Sequence, residues 1–298
     1  MTFLDPSQSP LLRKLSLLWN RIVPNWAHKK IDSHLFLPNR QTRSKPRPPR
    51  GFEQKFFKTP DGQVNAYMIG QGPAVVFVHG WGGGAHQFFS LMRGLMKCGF
   101  RAIAFDHLGH QASDNRPATL EQMIKTTNFV LNAVKKNHGE GLYGVVTHGL
   151  GATVVTNSRS GLVKDLPLFL IAPIFNYRFY FLRKLGELSL HHELLKQYAA
   201  QFAERYKRLY ARLELARTLP AYSDYSVIVH DQNDPVAPYS DSLKFCDKYP
   251  LTKLLKTRNL GHFEIIPSES VWQELKSHLN YEDTTINYSN IVLEETSI

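Results

Sequence analysis

The sequence predicts an α/β protein with a mostly parallel central sheet covered by helices on both faces. Three observations predict it. Short, continuously apolar runs recur along the chain, each followed by a loop and then by apolar residues at helical spacing, the pattern of strands buried on both faces. The 298 residues are 43% hydrophobic and 20% charged, enough to build a sizeable core. The most unusual loops fall directly after the apolar runs, where open parallel sheets place their ligands.

The chain begins with a basic extension, residues 1–50. The whole protein carries a net charge of +11, but residues 1–60 hold 12 Lys/Arg against Asp5, Asp32 and Glu53, a net of +9. Residues 61–298 hold 24 Lys/Arg and 22 Asp/Glu, so the body is nearly neutral. Ser9-Pro10 reads as an N-cap followed by a first-turn proline. Leu11, Leu12, Leu15, Leu18, Trp19 and Ile22 follow at helical spacing, with Arg13, Lys14, Asn20 and Arg21 largely off that stripe, and Pro24 stops it. Such a helix either docks on the body through its apolar stripe or lies on an anionic membrane surface through residues 10–23. From Asn39 to Arg50, five cations alternate with Pro46, Pro48 and Pro49, an extended basic linker. No aromatics interleave with those cations, so nucleic acid is the weaker partner.

The body, residues 51–280, opens with two strands, Phe52 to Phe57 and Val64 to Met68, around a Pro60-Asp61-Gly62 turn. The buried runs are Ala74 to Val78, Ala102 to Phe105, Leu142 to Val146, Leu166 to Ala172, Ser226 to Val229 and Thr252 to Leu255. Helical patterns occupy Gln87 to Lys97, Leu120 to Lys136 and Leu150 to Asn157. Residues 178–224 are too long for a simple crossover, and Leu194, Leu195, Tyr198, Phe202, Tyr206, Leu209, Tyr210 and Leu213 form a helical stripe. This interval reads as a helical insertion over the strand ends, the alternative being a partner-binding helix pair on another face. The tail, residues 281–298, is polar and slightly acidic.

Several function classes are excluded. No stretch approaches 18 uninterrupted apolar residues, so no transmembrane helix is expected. Two cysteines, Cys98 and Cys246, exclude a disulfide scaffold and a Cys-based zinc module. With no secretory h-region at the start, they point to a cytoplasmic protein, membrane-peripheral if the first helix binds lipid. The glycine-rich loop at 79–84 is followed by neither Gly-Lys-Ser/Thr nor G-x-G-x-x-G, so a phosphate cradle fails, and no cofactor or metal is expected.

The loops after the runs are His79-Gly80-Trp81-Gly82-Gly83-Gly84, Asp106-His107-Leu108-Gly109-His110-Gln111-Ala112-Ser113, Thr147-His148-Gly149-Leu150-Gly151, His230-Asp231-Gln232-Asn233-Asp234-Pro235 and Asn259-Leu260-Gly261-His262-Phe263. In this order the set resembles the α/β-hydrolase superfamily over roughly residues 52–280. The resemblance implies an α/β-hydrolase fold with a helical cap at 178–224 and hydrolysis of an ester-like bond in a small, fairly apolar substrate. It also implies an oxyanion loop at HGWGGG, a triad acid at Asp234 and a triad base at His262. DHLGHQAS resembles the D-x-x-G-H-G-x-S segment, with Gln111 in place of Gly.

The departure lies at the nucleophile. The family's G-x-S-x-G elbow holds its serine on a strained strand-to-helix turn. Here Gly149 stands at that position, and glycine cannot attack. Thr147 lies two residues too early, His148 should point away from the apex, and Ser158 and Ser160 lie along the next helix. The backbone N–H groups of Trp81 and Leu150 would form the oxyanion hole. His262, oriented by Asp234, is either a relic pair or a general base. The expectation is a pseudoenzyme that binds a small apolar or ester-like ligand. The alternatives are nucleophile-free chemistry through His262–Asp234, or an ordinary serine hydrolase in which Gly149 is a substitution.

Overall fold

The computed structural model describes residues 10–22, 25–38, 48–137, 141–158, 166–205 and 226–279. Two helices come first, α1 (Pro10–Ile22) and α2 (Trp26–Phe36). The body then runs β1 (Glu53–Thr59), β2 (Gly62–Ile69), β3 (Ala74–Val78), α3 (Phe89–Lys97), β4 (Arg101–Phe105), α4 (Leu120–Asn137), β5 (Leu142–His148) and α5 (Leu150–Thr156). It continues with β6 (Leu168–Ile171), α6 (Tyr177–Gly186), α7 (His192–Arg205), β7 (Ser226–Asp231), α8 (Tyr239–Lys248), β8 (Lys253–Thr257) and α9 (Glu269–His278).

The eight strands form one sheet in the order β1-β2-β4-β3-β5-β6-β7-β8. β1 pairs antiparallel with β2 and β2 with β4, while every pairing from β4 to β8 is parallel. The two-residue period of the strands divides their side chains between two cores. Val76 and Val78 of β3 join Val130, Leu131 and Val154 of α4 and α5 on one face. Val75 and Phe77 join Leu91, Leu95 and Trp272 of α3 and α9 on the other. The mostly parallel sheet with helices on both faces is the predicted architecture.

Three helices went unanticipated: α2, α8 and α9. Their apolar residues are few and set among charges, as in Trp26-Ala27-His28-Lys29-Lys30-Ile31. α2 nevertheless docks. Ile31 and Leu35 are buried against Phe181, Leu185, Leu195, Tyr198 and Phe202 of α6 and α7. Tyr198 also donates a hydrogen bond to Asp32. The stripe of the 178–224 interval is buried at Leu194, Leu195, Tyr198 and Phe202, while Tyr206, Leu209, Tyr210 and Leu213 lie outside the described residues. So do most of the 39–50 linker, Ser160 and the 281–298 tail. Among the described residues no helix is long and apolar enough to cross a membrane.

α1 forms where expected but faces the opposite way from the docked arrangement. Ser16 is buried and its hydroxyl accepts a hydrogen bond from the backbone N–H of His191 at 2.9 Å. The apolar stripe faces outward, with Leu15 and Trp19 each 49% exposed and Ile22 64% exposed.

Candidate active site

The site stands at the C-terminal ends of β3, β5, β7 and β8. Gly149 links β5 directly to α5 with φ 53° and ψ −120°. Positive φ strains a side-chain-bearing residue, and glycine adopts it without penalty. The turn is fixed by hydrogen bonds from Gly149 N–H to Ile171 O at 3.0 Å and from Ile174 N–H to Gly149 O at 3.1 Å. A Cβ placed on Gly149 would lie 3.1 Å from Nε2 of His262, so the imidazole faces the position of the absent side chain.

His262 is oriented from behind. Its Nδ1–H donates to Oδ2 of Asp234 at 2.7 Å. A carboxylate accepts only, so Nδ1 carries a proton, and in the neutral imidazole the lone pair lies on Nε2. Asp234 holds more partners than the sequence suggested. Oδ1 accepts from the N–H groups of Val236 and Ala237 at 2.7 and 2.8 Å. Oδ2 also accepts from Nε2 of His230 at 3.2 Å. Nε2 of His230 faces a second acceptor, Ala237 O at 3.2 Å, so it carries a proton, while Nδ1 shares a hydrogen bond with the hydroxyl of Ser242 at 2.6 Å. Burial alone would raise the Asp234 pKa, but His230, His262 and the Ala237 N–H hold it well below the usual carboxylate range. Asp231 joins the two loops, accepting from Thr257 Oγ1 and Leu260 N–H on Oδ2 and from Asn233 N–H on Oδ1.

The loop after β3 comes against the Gly149 turn. A Cβ on Gly80 would lie 3.0 Å from both His148 O and Leu150 N, so this approach requires glycine. Trp81 and Leu150 then line one cavity with Gly149, and their backbone N–H groups have no acceptor among the described residues. The loop is held from behind by two buried histidines. His79 donates from Nδ1 to Gly80 O at 2.7 Å and accepts the N–H of His107 on Nε2 at 3.0 Å. Burial lowers the His79 pKa to about 4, which keeps that pattern neutral. His110 Nε2 accepts from Gly82 N–H at 3.1 Å. Gln111 takes φ 37° and its side-chain amide donates to Gly83 O at 3.3 Å, tying the two loops together.

His148 departs from expectation. It does not point away from the site. Nε2 bonds His262 O at 2.9 Å, the two rings lie 4.6 Å apart, and His148 lines the cavity. Burial, reinforced by the neighbouring His262, lowers its pKa to about 3, so it stays neutral. Thr147 Oγ1 is buried without a partner, and Ser158 Oγ bonds Asn128 at the far end of α5. The cavity measures about 900 Å³. Its outer wall comes from α2 and α6, through Lys30, His34, Tyr180 and Lys184, and Glu187 pairs with Lys184 at 2.9 Å and faces His34 at 3.7 Å. Among the described residues no cluster of His, Cys, Asp or Glu could hold a metal ion.

A family model described as the alpha/beta hydrolase fold matches residues 73–158. The esterase Pf2001 of Pyrococcus furiosus is similar in structure, with a TM-score of 0.61 and 17% identity over 83% of this chain and 97% of that one. The chain has the α/β-hydrolase fold. Est1E of Butyrivibrio proteoclasticus, solved with ferulic acid, matches with a TM-score of 0.57 and 17% identity over 76% of this chain and 99% of that one. The epoxide hydrolase VrEH1 of Vigna radiata matches with a TM-score of 0.57 and 14% identity over 78% and 99%. No curated protein matches by sequence.

Within this α/β-hydrolase fold, the structure brings Trp81, Gly149, Leu150 and His262 to one cavity, with Asp234 behind His262. His230 was missed because a histidine at a strand end carries no signal of its partner. The only cue was its position four residues before Asp234.

Proposed function

We propose that the chain is a degenerate ester hydrolase that binds a small ligand in its cavity and forms no acyl-enzyme. The observation that carries this reading is Gly149. It occupies a strained strand-to-helix turn facing a correctly oriented His262, and it bears no atom that can attack. The hydroxyls that do line the cavity, Ser33 and Tyr180, belong to α2 and α6 rather than to the turn. Loss of a triad serine costs on the order of a millionfold in kcat. The ligand is largely apolar and carries a carbonyl or carboxylate. The N–H groups of Trp81 and Leu150 suit an oxygen, and the Lys30 ammonium favours negative charge nearby, whereas Lys184 and His34 face Glu187. α6 and α7 act as the cap, with α2 of the extension packed into it. Esterases among proteins of similar fold support the hydrolase ancestry.

The test is Gly149→Ser with a nitrophenyl ester. Turnover that appears in the variant and vanishes on adding His262→Gln supports the reading. No gain in a variant that folds normally counts against an intact remainder of the site.

A second reading rests on the bare Nε2 lone pair of His262, which could activate water or abstract a substrate proton without a nucleophile. It predicts wild-type turnover that resists fluorophosphonate and is lost in His262→Gln.

A further inference from the structure

We propose that α1 docks in the plane of an anionic lipid surface. This inference is independent of the catalytic reading. Leu11, Leu12, Leu15, Leu18, Trp19 and Ile22 are each between 49% and 64% exposed, although a helix docked on a body normally turns such residues inward. The residues that do turn inward are Arg13, Ser16, Leu17 and Asn20, spaced i, i+3, i+4 and i+7. Ser16 accepts from the N–H of His191, and Asn20 Oδ1 accepts from the N–H of Ala27 at 3.0 Å, so polar contacts hold the helix with its apolar face out.

The outward residues share an arc of about 120° at about 100° per residue. Lys14 and Arg21, both exposed, border that arc on one side. α1 contains no acidic residue, and residues 1–50 hold ten Lys/Arg against Asp5 and Asp32. An apolar face with a basic flank and an interfacial tryptophan fits the boundary between acyl chains and anionic headgroups. A second copy fits poorly. A two-fold contact through this face would set the same basic flanks against each other. A helix about 20 Å long also offers less surface than the roughly 800 Å² per partner of a stable dimer. Because α1 packs on α2, docking would bring the helix that walls the cavity close to an interface where apolar esters partition.

The experiment is flotation of the full chain with vesicles of phosphatidylcholine, alone or mixed with phosphatidylglycerol. Binding to the mixed vesicles that weakens with salt is expected. Leu15→Asp/Leu18→Asp should reduce it by about tenfold or more without changing the melting temperature, because both side chains face solvent. Lys14→Gln/Arg21→Gln should reduce it by about fivefold per charge removed at low salt. Failure of the full chain to bind either vesicle overturns the proposal, as does binding that neither variant changes. So does binding that appears only after residues 281–298 are deleted, which would make the acidic tail the occupant. A dimer in sedimentation equilibrium that Leu15→Asp/Leu18→Asp dissolves, with no vesicle binding, would make the occupant a second copy.

Discussion

The base side of the site and the turn opposite it are held together by different means. Asp234 accepts four hydrogen bonds, two from imidazoles and two from backbone N–H groups, and its side chain is fully buried. Gly149 is held by its backbone alone, in a conformation that only glycine takes without strain. Removing a member of the first region strands buried polar groups, which is costly. Replacing a side chain by hydrogen at the second relieves strain. On the proposed reading, this difference accounts for a chain that keeps the acid and base while lacking the nucleophile.

The largest test of that contrast is the activity gained on Gly149→Ser. Nitrophenyl ester turnover should rise by about a thousandfold or more over wild type if the remaining machinery is intact. The imidazole of His262 must yield by a few tenths of an ångström, given the 3.1 Å separation. Next is Asp234→Ala, which leaves His262 Nδ1–H and the two backbone N–H groups without their acceptor. It should lower unfolding free energy by about 3 kcal/mol in urea titrations. Gly149→Ala should cost less, about 1–2 kcal/mol, because it reinstates backbone strain and displaces the His262 imidazole slightly but strands no buried polar group. If Gly149→Ala costs more than Asp234→Ala, the contrast is inverted and the account fails.

The most gradual effect is the pH dependence. His79 and His148 have folded pKa values lowered to about 4 and about 3, below the unfolded value of about 6.5. Between these limits the unfolded chain binds more protons than the folded one. Their contribution is therefore complete above about pH 6.5 and is lost as pH falls, by about 1.4 kcal/mol per pH unit for each histidine. Asp234, lowered as a carboxylate, loses its contribution only further down, below about pH 4. Urea midpoints measured from pH 7 to pH 4 should fall steadily, and His79→Gln should flatten the curve.

Much of this was legible in the sequence. The continuous apolar runs located β3 to β7 because parallel strands buried on both faces leave no polar alternation to confuse, and Leu254-Leu255 marked the edge strand β8 between exposed Lys253 and Lys256. Glycines and histidines at the strand ends pointed to the candidate site, since the fold brings those ends together. What was not legible depended on contacts far apart in the chain. α2 has only three buried residues, Ala27, Ile31 and Leu35, and its place is decided by α6 and α7. The amphipathic pattern of α1 gave the helix but not its orientation, because a stripe does not say which face meets the body. His148 was expected to turn away, but the loop after β8 returns over β5 and packs His262 against it. His230 joined the candidate site only through the tight turn after β7 that folds Asp234 back onto it.

The most direct measurement is the intact mass of the wild-type chain after incubation with a fluorophosphonate probe, with Gly149→Ser as the positive control. The account predicts no adduct on wild type and one adduct, at position 149, on the variant. A stoichiometric adduct on wild type would show a competent nucleophile elsewhere in the cavity and contradict the account.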